Sequence, residues 1–302
     1  MKFHLVKDKR VLISPLNWGM GHVSRCIGLI HRLKKNNNTV IVACDKNQEE
    51  VLELYFPCIT FIHHEGYPFQ FSGKRHFGLD LIKNLNRLNM RHKSEFLETE
   101  ELVKLHQIDV VISDHRYGFR SESVPSIFVT HQLRLPLKWI EVGAQFIHKY
   151  LINKFDCVWI MDYIDHRLAG NLSKNNASVI VDYLGAVSRF EVYKKFEGEK
   201  INTIVIVSGV SIYGQQFIDE LNQHDETSEL SIVAKDDINV PLRFKRLKGN
   251  WLELDQEILK AKCIISRTGY STIMDINYLG CECELTSTPG QREQEYLELL
   301  RK

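Results

Sequence analysis

The sequence has no charge excess of either sign and no long apolar run. Its 302 residues carry a formal net charge of +1, so no strong field points to nucleic acid as a partner. No run approaches the roughly 18 apolar residues of a membrane-spanning helix. The charged first 15 residues also lack the apolar core of a signal peptide. These absences favour a cytoplasmic protein, at most in contact with the inner face of the membrane.

Cysteine is too scattered to build a disulfide framework or a zinc site. The seven cysteines are odd in number, and most of them lie inside apolar runs, as buried reduced thiols do. Cys281 and Cys283 lack the two further ligands that a structural zinc ion requires. We therefore predict no metal site.

Short apolar runs alternate with longer helical patterns along the whole chain. Many of the runs are nearly continuous in Val, Ile and Leu, which is typical of parallel strands buried on both faces. Strand–helix–strand alternation predicts an α/β protein with doubly wound sheets. The predicted strands are Val11–Ser14, Thr39–Cys44, Ile59–His63, Val110–Ser113, Ser126–Thr130, Cys157–Met161, Ser178–Tyr183, Thr203–Ser208, Ser231–Ala234, Arg243–Leu247, Cys263–Ser266 and Glu282–Thr286. The clearest helical patterns are Ser24–Lys35, Leu79–Leu105 and Gly214–Asn222.

The alternation restarts once, after a polar segment. Ser188–Lys200 is charged, and a new strand follows it. A chain of this length suggests two domains, at roughly 100–200 residues each. We place them at 1–187 and 188–302, as two Rossmann-like domains that face each other across a cleft. In such sheets ligands bind at the carboxyl ends of the strands.

A strand, a glycine turn and an amphipathic helix open the first half, as VLISPLNWGMGHVSRCIGLIHRL. Gly19 and Gly21 permit positive φ or the close approach of a ligand. Ser24 and Arg25 are expected to open the helix, whose first amides attract anions. By itself this turn is consistent with a plain connection or with a dinucleotide site. The latter rests on the near match to G-x-G-x-x-G and on Asp45 after the next strand.

The first loop of the second half offers small side chains and free amides. Ser208, Gly209 and Ser211 follow the strand INTIVIV, and backbone amides in such a loop suit phosphate oxygens. The alternative is an ordinary connection between a strand and a helix.

The segment CIISRTGYSTIMD is more specific. It predicts a strand, a turn and a helix that begins with hydroxyl side chains beside an arginine, which together suit a diphosphate. An acid one turn into that helix suits ribose hydroxyls. The residues expected to bind are Arg267, Thr268, Gly269, Ser271, Thr272 and Asp275. Downstream, TPGQREQEY offers Gln291 and Gln294 to sugar hydroxyls, although a solvated surface helix is the alternative.

Together these motifs resemble the GT-B glycosyltransferases of the MurG type, glycosyltransferase family 28. WGMGH is similar to their N-terminal glycine loop, and SGVSIYGQQ to the first loop of their C-terminal domain. SRTGYSTIMD resembles the donor signature R-x-G-x-x-T-x-x-E, with Asp275 in place of the usual Glu. TPGQREQEY resembles the segment that contacts the donor sugar, in a shorter form. The resemblance covers most of the chain.

The resemblance implies an inverting transfer of a hexose or N-acetylhexosamine, foremost from UDP-GlcNAc, to a lipid-linked or cell-envelope acceptor. The UDP-sugar is a co-substrate held mainly by the C-terminal domain, and no other cofactor is expected. The family needs no metal bound to a DxD motif, and the sequence contains no such motif. Gly19, Gly21 and His131 then belong to the acceptor side.

An inverting transfer needs a base that takes the proton of the acceptor hydroxyl. His22 is the first candidate, because it follows a strand's carboxyl end and imidazole titrates near neutrality. Asp114 closes the strand VVIS and is expected to act as the base, to orient His22 or to bind acceptor hydroxyls. A turn cap is the alternative for this aspartate.

Leu135–Phe155 interleaves aromatic and apolar side chains with lysines. The pattern favours an amphipathic helix packed on the sheet, and a helix that lies at a membrane interface is the alternative.

Two other functions stay open from the sequence. An NAD-linked oxidoreductase is consistent with the first glycine turn but leaves the C-terminal block unexplained. A non-catalytic GT-B protein that binds a nucleotide sugar is consistent with Asp275 and with the short segment after Gln294.

Overall fold

The chain divides into two compact units. The computed structural model describes residues 1–67, 77–136, 142–175, 178–224 and 230–302. One unit is Met1–Arg189 and the other is Phe190–Lys302, so the division lies two residues beyond the predicted boundary at 187. Each unit contains one sheet, and all the strand pairings in both sheets are parallel.

The first unit is built on a seven-stranded sheet. Its strands are β1 (Arg10–Pro15), β2 (Thr39–Cys44), β3 (Thr60–His63), β4 (Val110–Asp114), β5 (Ser126–Thr130), β6 (Cys157–Ile160) and β7 (Ile180–Tyr183). Its helices are α1 (Met20–Lys35), α2 (Lys46–Tyr55), α3 (Phe77–Leu105) and α4 (Val142–Ile152). The strand order is β3-β2-β1-β4-β5-β6-β7. The chain therefore runs outward from β1 to one edge and then returns to β4, on the other side of β1.

The second unit repeats this order with five strands. The strands are β8 (Asn202–Ile206), β9 (Ser231–Val233), β10 (Lys245–Arg246), β11 (Ala261–Arg267) and β12 (Glu282–Thr286). The helices are α5 (Ser211–His224), α6 (Trp251–Ile258), α7 (Tyr270–Leu279) and α8 (Arg292–Leu299). The order β10-β9-β8-β11-β12 places the reversal between β8 and β11. The α/β class and the Rossmann-like form of both units are thereby confirmed.

Burial follows the apolar runs of the sequence. Every residue of β4 and β5 is buried, as expected for central parallel strands covered on both faces. The helices pack their apolar sides against the sheets, and one such cluster joins Leu12, Ile41, Val103, Val111 and Phe119. A helix was predicted from Ser24 because its apolar period is clear only from there, whereas α1 begins at Met20.

Helix α1 is fixed against the end of the first unit. Gly28 faces the backbone of Ser188 so closely that a side chain would collide with it. Arg32 donates to the carbonyls of Leu184 and Ala186, and Arg189 Nη1 donates to Ser24 Oγ at 3.0 Å. These contacts set the position of α1, and with it the glycine turn at its start.

Candidate functional site

The first sheet reverses its winding between β1 and β4. These strands are adjacent, with Pro15 in register with Asp114, but the connections that follow them lead to opposite sides. In open α/β sheets the crevice at such a reversal, beyond the carboxyl ends of the strands, is the usual ligand site. The predicted residues of the first half follow β1, end β4 or follow β5, and so share this edge of the sheet.

The glycine turn leads directly into α1. Gly19 is the residue before the helix, with φ of 144°, a backbone conformation that favours glycine. No described side chain caps this helix start, and Gly21 already lies inside the first turn. The prediction that Ser24 and Arg25 open the helix was wrong, because both lie in the second turn, where they are buried.

His22 and Asp114 meet at this edge. His22 Nδ1 lies 2.8 Å from Asp114 Oδ2. The carboxylate is fully buried, whereas about a fifth of the His22 side chain, 19%, is exposed. Arg25, one turn further along α1, donates from Nε to Asp114 Oδ1 at 2.9 Å and from Nη2 to the same oxygen at 2.5 Å. The two predicted catalytic residues are thus joined with an arginine in one buried cluster.

The charges in this cluster shift both titrating groups. Burial alone raises the pKa of Asp114, but the Arg25 guanidinium and then His22 outweigh it and hold this pKa well below its usual value. For His22, burial lowers the pKa first and Arg25 lowers it further, while Asp114 acts in the opposite direction. The folded protein therefore favours an ionised Asp114 beside a neutral His22.

Three further histidines surround the pair. His131 Nδ1 lies 3.4 Å from Arg25 Nη1. The His115 ring lies 6.0 Å from the His22 ring, edge to face, and its Nε2 lies 2.5 Å from Thr130 Oγ1. His148 is stacked 6.5 Å from His115. The structure therefore places His131 beside Arg25 and His115 beside His22, with His148 stacked on His115.

Arg25, His115 and His148 were not predicted as parts of this site. Arg25 carried a usable signal, since residues three apart on a helix share a face. His115 follows Asp114 directly in the sequence, which was a second signal. For His148 the sequence carried no such signal, because the position of this side chain depends on how α4 packs against the sheet.

The second sheet gathers the predicted donor residues at its own reversal. Ser208 and Gly209 follow β8, and Thr268 and Gly269 follow β11, its neighbour. Ser208 and Gly209 are exposed, Gly209 has φ of 88°, and Ser211 is the first residue of α5. These segments are distant in the sequence, yet they end at adjacent strand termini.

Helix α7 begins at this edge without a side-chain cap in the described structure. Gly269 is the residue before it, and Ser271 is half-buried in the first turn. Thr272 and Asp275 are buried. The hydroxyl of Thr268 is fully buried and has no hydrogen-bond partner within the described part of the chain, and such a group is costly unless something satisfies it.

The Arg267 guanidinium is bonded to other residues of the second unit. It is buried, with Nη2 2.9 Å from Glu220 Oε2 and Nη1 donating to the carbonyl of Ser287 at 3.1 Å. Its guanidinium also lies over the Phe217 ring. Its charge is therefore already balanced by Glu220.

Gln291 is the residue before α8 and Gln294 lies in its first turn, and Gln294 bonds both to Gln291 and to the loop before it. Gln294 Oε1 accepts from the amide of Thr288 at 2.8 Å, and Gln294 Nε2 donates to Gln291 Oε1 at 2.6 Å. Both bonds support the turn that contains Pro289 and Gly290. The shape of the loop therefore depends on the residues predicted to bind the donor sugar.

Asp45, the acid on which a dinucleotide site would depend, caps a helix. Its Oδ1 accepts from the amide of Gln48 at 3.0 Å, and the Gln48 side chain accepts from the Asp45 amide at 3.3 Å. This capping box accounts for an acid at this position. Among the described residues, no group of three His, Cys, Asp or Glu side chains is arranged to hold a metal ion.

No protein-family model matches the chain, and no curated protein sequence matches it. Its backbone is similar to solved structures. The glycosyltransferase of kitacinnamycin superposes with a TM-score of 0.63 at 11% identity, over 96% of this chain and 84% of that one. UGT89C1 of Arabidopsis thaliana gives 0.61 at 12% identity, over 98% and 83%. MurG of Acinetobacter baumannii gives 0.52 at 14% identity, over 97% and 83%.

The chain has the GT-B fold. Two Rossmann-like units in one chain are what it shares with these glycosyltransferases. The resemblance to the MurG type, inferred from four short motifs, therefore extends to the backbone. Among the described helices of this GT-B protein, none is both long and apolar enough to cross a membrane.

Asp114→Asn should strongly destabilise the first unit. The substitution keeps the size of the side chain but leaves the Arg25 cation buried without its counter-charge. We expect a loss of about 3–5 kcal/mol in the free energy of unfolding near neutral pH, the usual cost of breaking a buried ion pair. Urea unfolding followed by circular dichroism measures it.

The pH dependence provides the control for that prediction. Because the folded pKa of Asp114 lies below its ordinary value of 3.8, its contribution is complete above that value and is lost as the pH falls through the folded pKa. The difference between wild type and variant should therefore shrink in acid. The exposed Asp165→Asn should change little. An Asp114→Asn variant as stable as the wild type would contradict the stabilising role of the Arg25–Asp114 ion pair.

Proposed function

We propose that this GT-B protein is a glycosyltransferase that moves a sugar from a nucleoside diphosphate to an acceptor hydroxyl, with His22 as the base. The observation that carries the proposal is the His22–Asp114 pair, 2.8 Å apart, at the reversal of the first sheet. A partly exposed imidazole backed by a buried carboxylate suits a general base, because the carboxylate orients the ring and stabilises its protonated form. The fold alone would not support an activity.

The acceptor half of the reaction follows from this pair. His22 Nε2 takes the proton of the acceptor hydroxyl as the hydroxyl oxygen bonds to the anomeric carbon. The bond between that carbon and the diphosphate oxygen breaks, and the electron pair leaves with the nucleotide. Asp114 stabilises the imidazolium that forms, because it is ionised and in contact with Nδ1. Attack opposite to the leaving group inverts the anomeric centre.

The donor half is assigned to the second unit. The starts of α5 and α7 face the same edge of the sheet as Ser208, Gly209 and Thr268, and helix starts stabilise a developing diphosphate charge. We propose that the hydroxyl of Thr268, which is buried at this edge without a partner in the described chain, donates to a phosphate oxygen of the bound nucleotide. Because Glu220 already balances Arg267, we assign the guanidinium to the shape of the site and the leaving charge to the helix starts.

Structural neighbours support a nucleoside diphosphate as part of the donor. UGT89C1 was solved with UDP-L-rhamnose, the glycosyltransferase SsfS6 with thymidine diphosphate, and MnaA of S. aureus with UDP. For this chain we propose UDP-GlcNAc first, with a lipid-linked or cell-envelope acceptor, on the resemblance of its motifs to the MurG type. Metal-independent transfer is proposed because the sequence has no DxD motif.

His22→Ala should abolish most turnover and leave donor binding intact. Loss of a general base lowers the rate by roughly 10²–10⁴-fold, while the donor residues lie in the other unit. Transfer from UDP-GlcNAc to a lipid-linked acceptor is measured as UDP release, and UDP affinity by calorimetry.

His4→Ala is the matched control, since His4 is exposed at the amino terminus and should retain full turnover. Turnover by His22→Ala at the wild-type rate would remove His22 from the mechanism. Binding of UDP without any transfer by the wild type would instead favour the non-catalytic alternative.

Thr268→Val should weaken UDP binding without destabilising the fold. Valine keeps the shape and removes a hydroxyl that has no partner in the described chain, so stability should be unchanged or higher. A lost hydrogen bond to a charged phosphate costs about 1.5 kcal/mol or more, near tenfold in affinity. Thermal shift against UDP, UDP-GlcNAc, GDP and NAD measures both quantities.

Thr203→Val, within β8 and away from the carboxyl edge, should leave UDP affinity unchanged. Stabilisation of the wild type by NAD alone would overturn the proposed donor and favour the oxidoreductase, whose site would lie in the first unit. Equal UDP affinity of Thr268→Val and wild type would remove Thr268 from the donor site.

Helix α4 supports a contact with membrane lipid. Its inner face packs on the core through Ile152, whereas Phe146 and Tyr150 are 70% and 63% exposed. Lys154 lies beside the Tyr150 ring, with Nζ 4.7 Å from its centre. Exposed aromatics flanked by lysines suit an anionic bilayer surface. Residues 137–141, including the predicted Trp139, lie outside the described residues.

Phe146→Glu should reduce binding to vesicles that contain anionic lipid. A carboxylate on this face loses apolar burial and is repelled by the lipid charge. Flotation at low salt measures it. Ile164→Glu, on another exposed site of the same unit, is the control and should float like wild type. Failure of the wild type to float would end the membrane proposal.

A further inference from the structure

Arg25 lies in one buried cluster with His22 and Asp114, but the proposed transfer assigns it no chemical step. It is buried on α1, three residues after His22. Its Nη2 lies 2.7 Å from His22 Nδ1 as well as 2.5 Å from Asp114 Oδ1. An arginine so close to a base opposes the protonation on which that base depends. Its presence therefore calls for a role other than binding substrate.

The two carboxylate oxygens of Asp114 have different hydrogen-bond partners. Arg25 supplies both Nε and Nη2 to Oδ1, and Oδ2 faces His22 Nδ1 at 2.8 Å and the Cys26 thiol at 3.7 Å. Two nitrogens of the planar Arg25 guanidinium donate to the same oxygen, Oδ1. Because they hold Oδ1 in place, the carboxylate cannot rotate freely. Oδ2 is thereby left oriented toward the imidazole.

The different partners of Oδ1 and Oδ2 also favour one tautomer of His22. If Nδ1 accepted a proton from Arg25, Oδ2 would keep only the weak thiol donor of Cys26, and a buried carboxylate oxygen would be nearly unsatisfied. If Nδ1 carries the hydrogen, it donates to Oδ2 and Arg25 still donates to Oδ1, while the approach of Nη2 to Nδ1 is a close contact between two donors and not a hydrogen bond. The second arrangement satisfies both oxygens. It leaves Nε2, which has no partner among the described residues, with its lone pair available.

We infer that Arg25 is a positioning residue: it fixes Asp114 through Oδ1 so that Oδ2 holds His22 as the Nδ1–H tautomer. The inference rests on the proposed role of His22 as the base. It adds that Arg25 determines which tautomer of His22 is present before the acceptor binds.

The charged and titrating groups that face His22 come from three elements. Arg25 and Cys26 lie on α1, Asp114 ends β4, His115 follows it, and His131 follows β5. After burial, the Arg25 charge is the largest cause that lowers the pKa of His22, and Asp114 opposes it through both its charge and its hydrogen bond. Removing the Arg25 charge leaves Asp114 to favour the imidazolium, so the pKa of His22 should rise.

Nitrogen-15 NMR of the histidine rings tests the inference without substrate. The His22 signals are assigned by their absence in His22→Gln. In the wild type we expect a hydrogen on Nδ1, none on Nε2, and a titration midpoint below the ordinary 6.5. In Arg25→Gln the midpoint should move to higher pH. In Arg25→Lys, which keeps the charge but not the two-nitrogen contact, it should move less.

Arg116→Lys is the matched control. Arg116 forms an equally buried ion pair with Glu95 in the same unit, 2.6 Å apart, and does not contact His22. It should leave the His22 midpoint unchanged whatever it does to stability. If Arg25→Gln does not fold, the tautomer of the wild type and the midpoint of Arg25→Lys still decide the matter.

Kinetics provide a second readout for the same variants. The acid limb of kcat should move to higher pH in Arg25→Gln, with KM for the donor unchanged. A wild-type His22 in the Nε2–H form, or unchanged midpoints in both Arg25 variants, would overturn the inference. A wild type that transfers no sugar while its His22 titrates as expected would overturn the proposed function and leave the role of Arg25 in place.

Discussion

The parallel pairing of β1 with β4 is the constraint on which the rest of the candidate site depends. It puts Pro15 opposite Asp114, although the chain between them passes through two other strands and three helices. Because connections diverge at this reversal, a gap opens above the strand ends that side chains from both loops share. His22 reaches it from the helix after β1, and Asp114 reaches it from the end of β4. No local segment of the sequence contains the site.

A fully buried carboxylate then determines what surrounds it. Asp114 cannot remain ionised without donors, and the fold supplies them from α1 through Arg25 and His22. The position of α1 is in turn fixed by the close contact of Gly28 with Ser188. The packing of α1 against Ser188 and the contacts of His22 and Arg25 with Asp114 are thus linked through one helix. The second unit has the same kind of reversal, where helix starts and hydroxyl side chains lie at the strand ends.

The order of strands and helices could be predicted because each element has its own period in the sequence. All twelve predicted strands occur, with ends that shift by up to two residues, as for β7 and β10. The start of α1 was misplaced because Met20 to Val23 carry no clear apolar period. The donor segment was placed at a strand end by its local strand–turn–helix pattern. What that pattern could not reveal was that Glu220 balances Arg267, since the pair joins different elements.

The sequence by itself determined the α/β class, the two repeated units and the pairing of a base with an acid as candidates, because apolar periodicity and motif spacing are local properties. Only the tertiary structure decided which side chains meet. Arg25, expected to open a helix, instead contacts His22 and Asp114 because the helix begins five residues earlier. Thr268 has a buried hydroxyl without a partner in the described chain. Distances and burial follow from packing between remote segments, which local pattern does not encode.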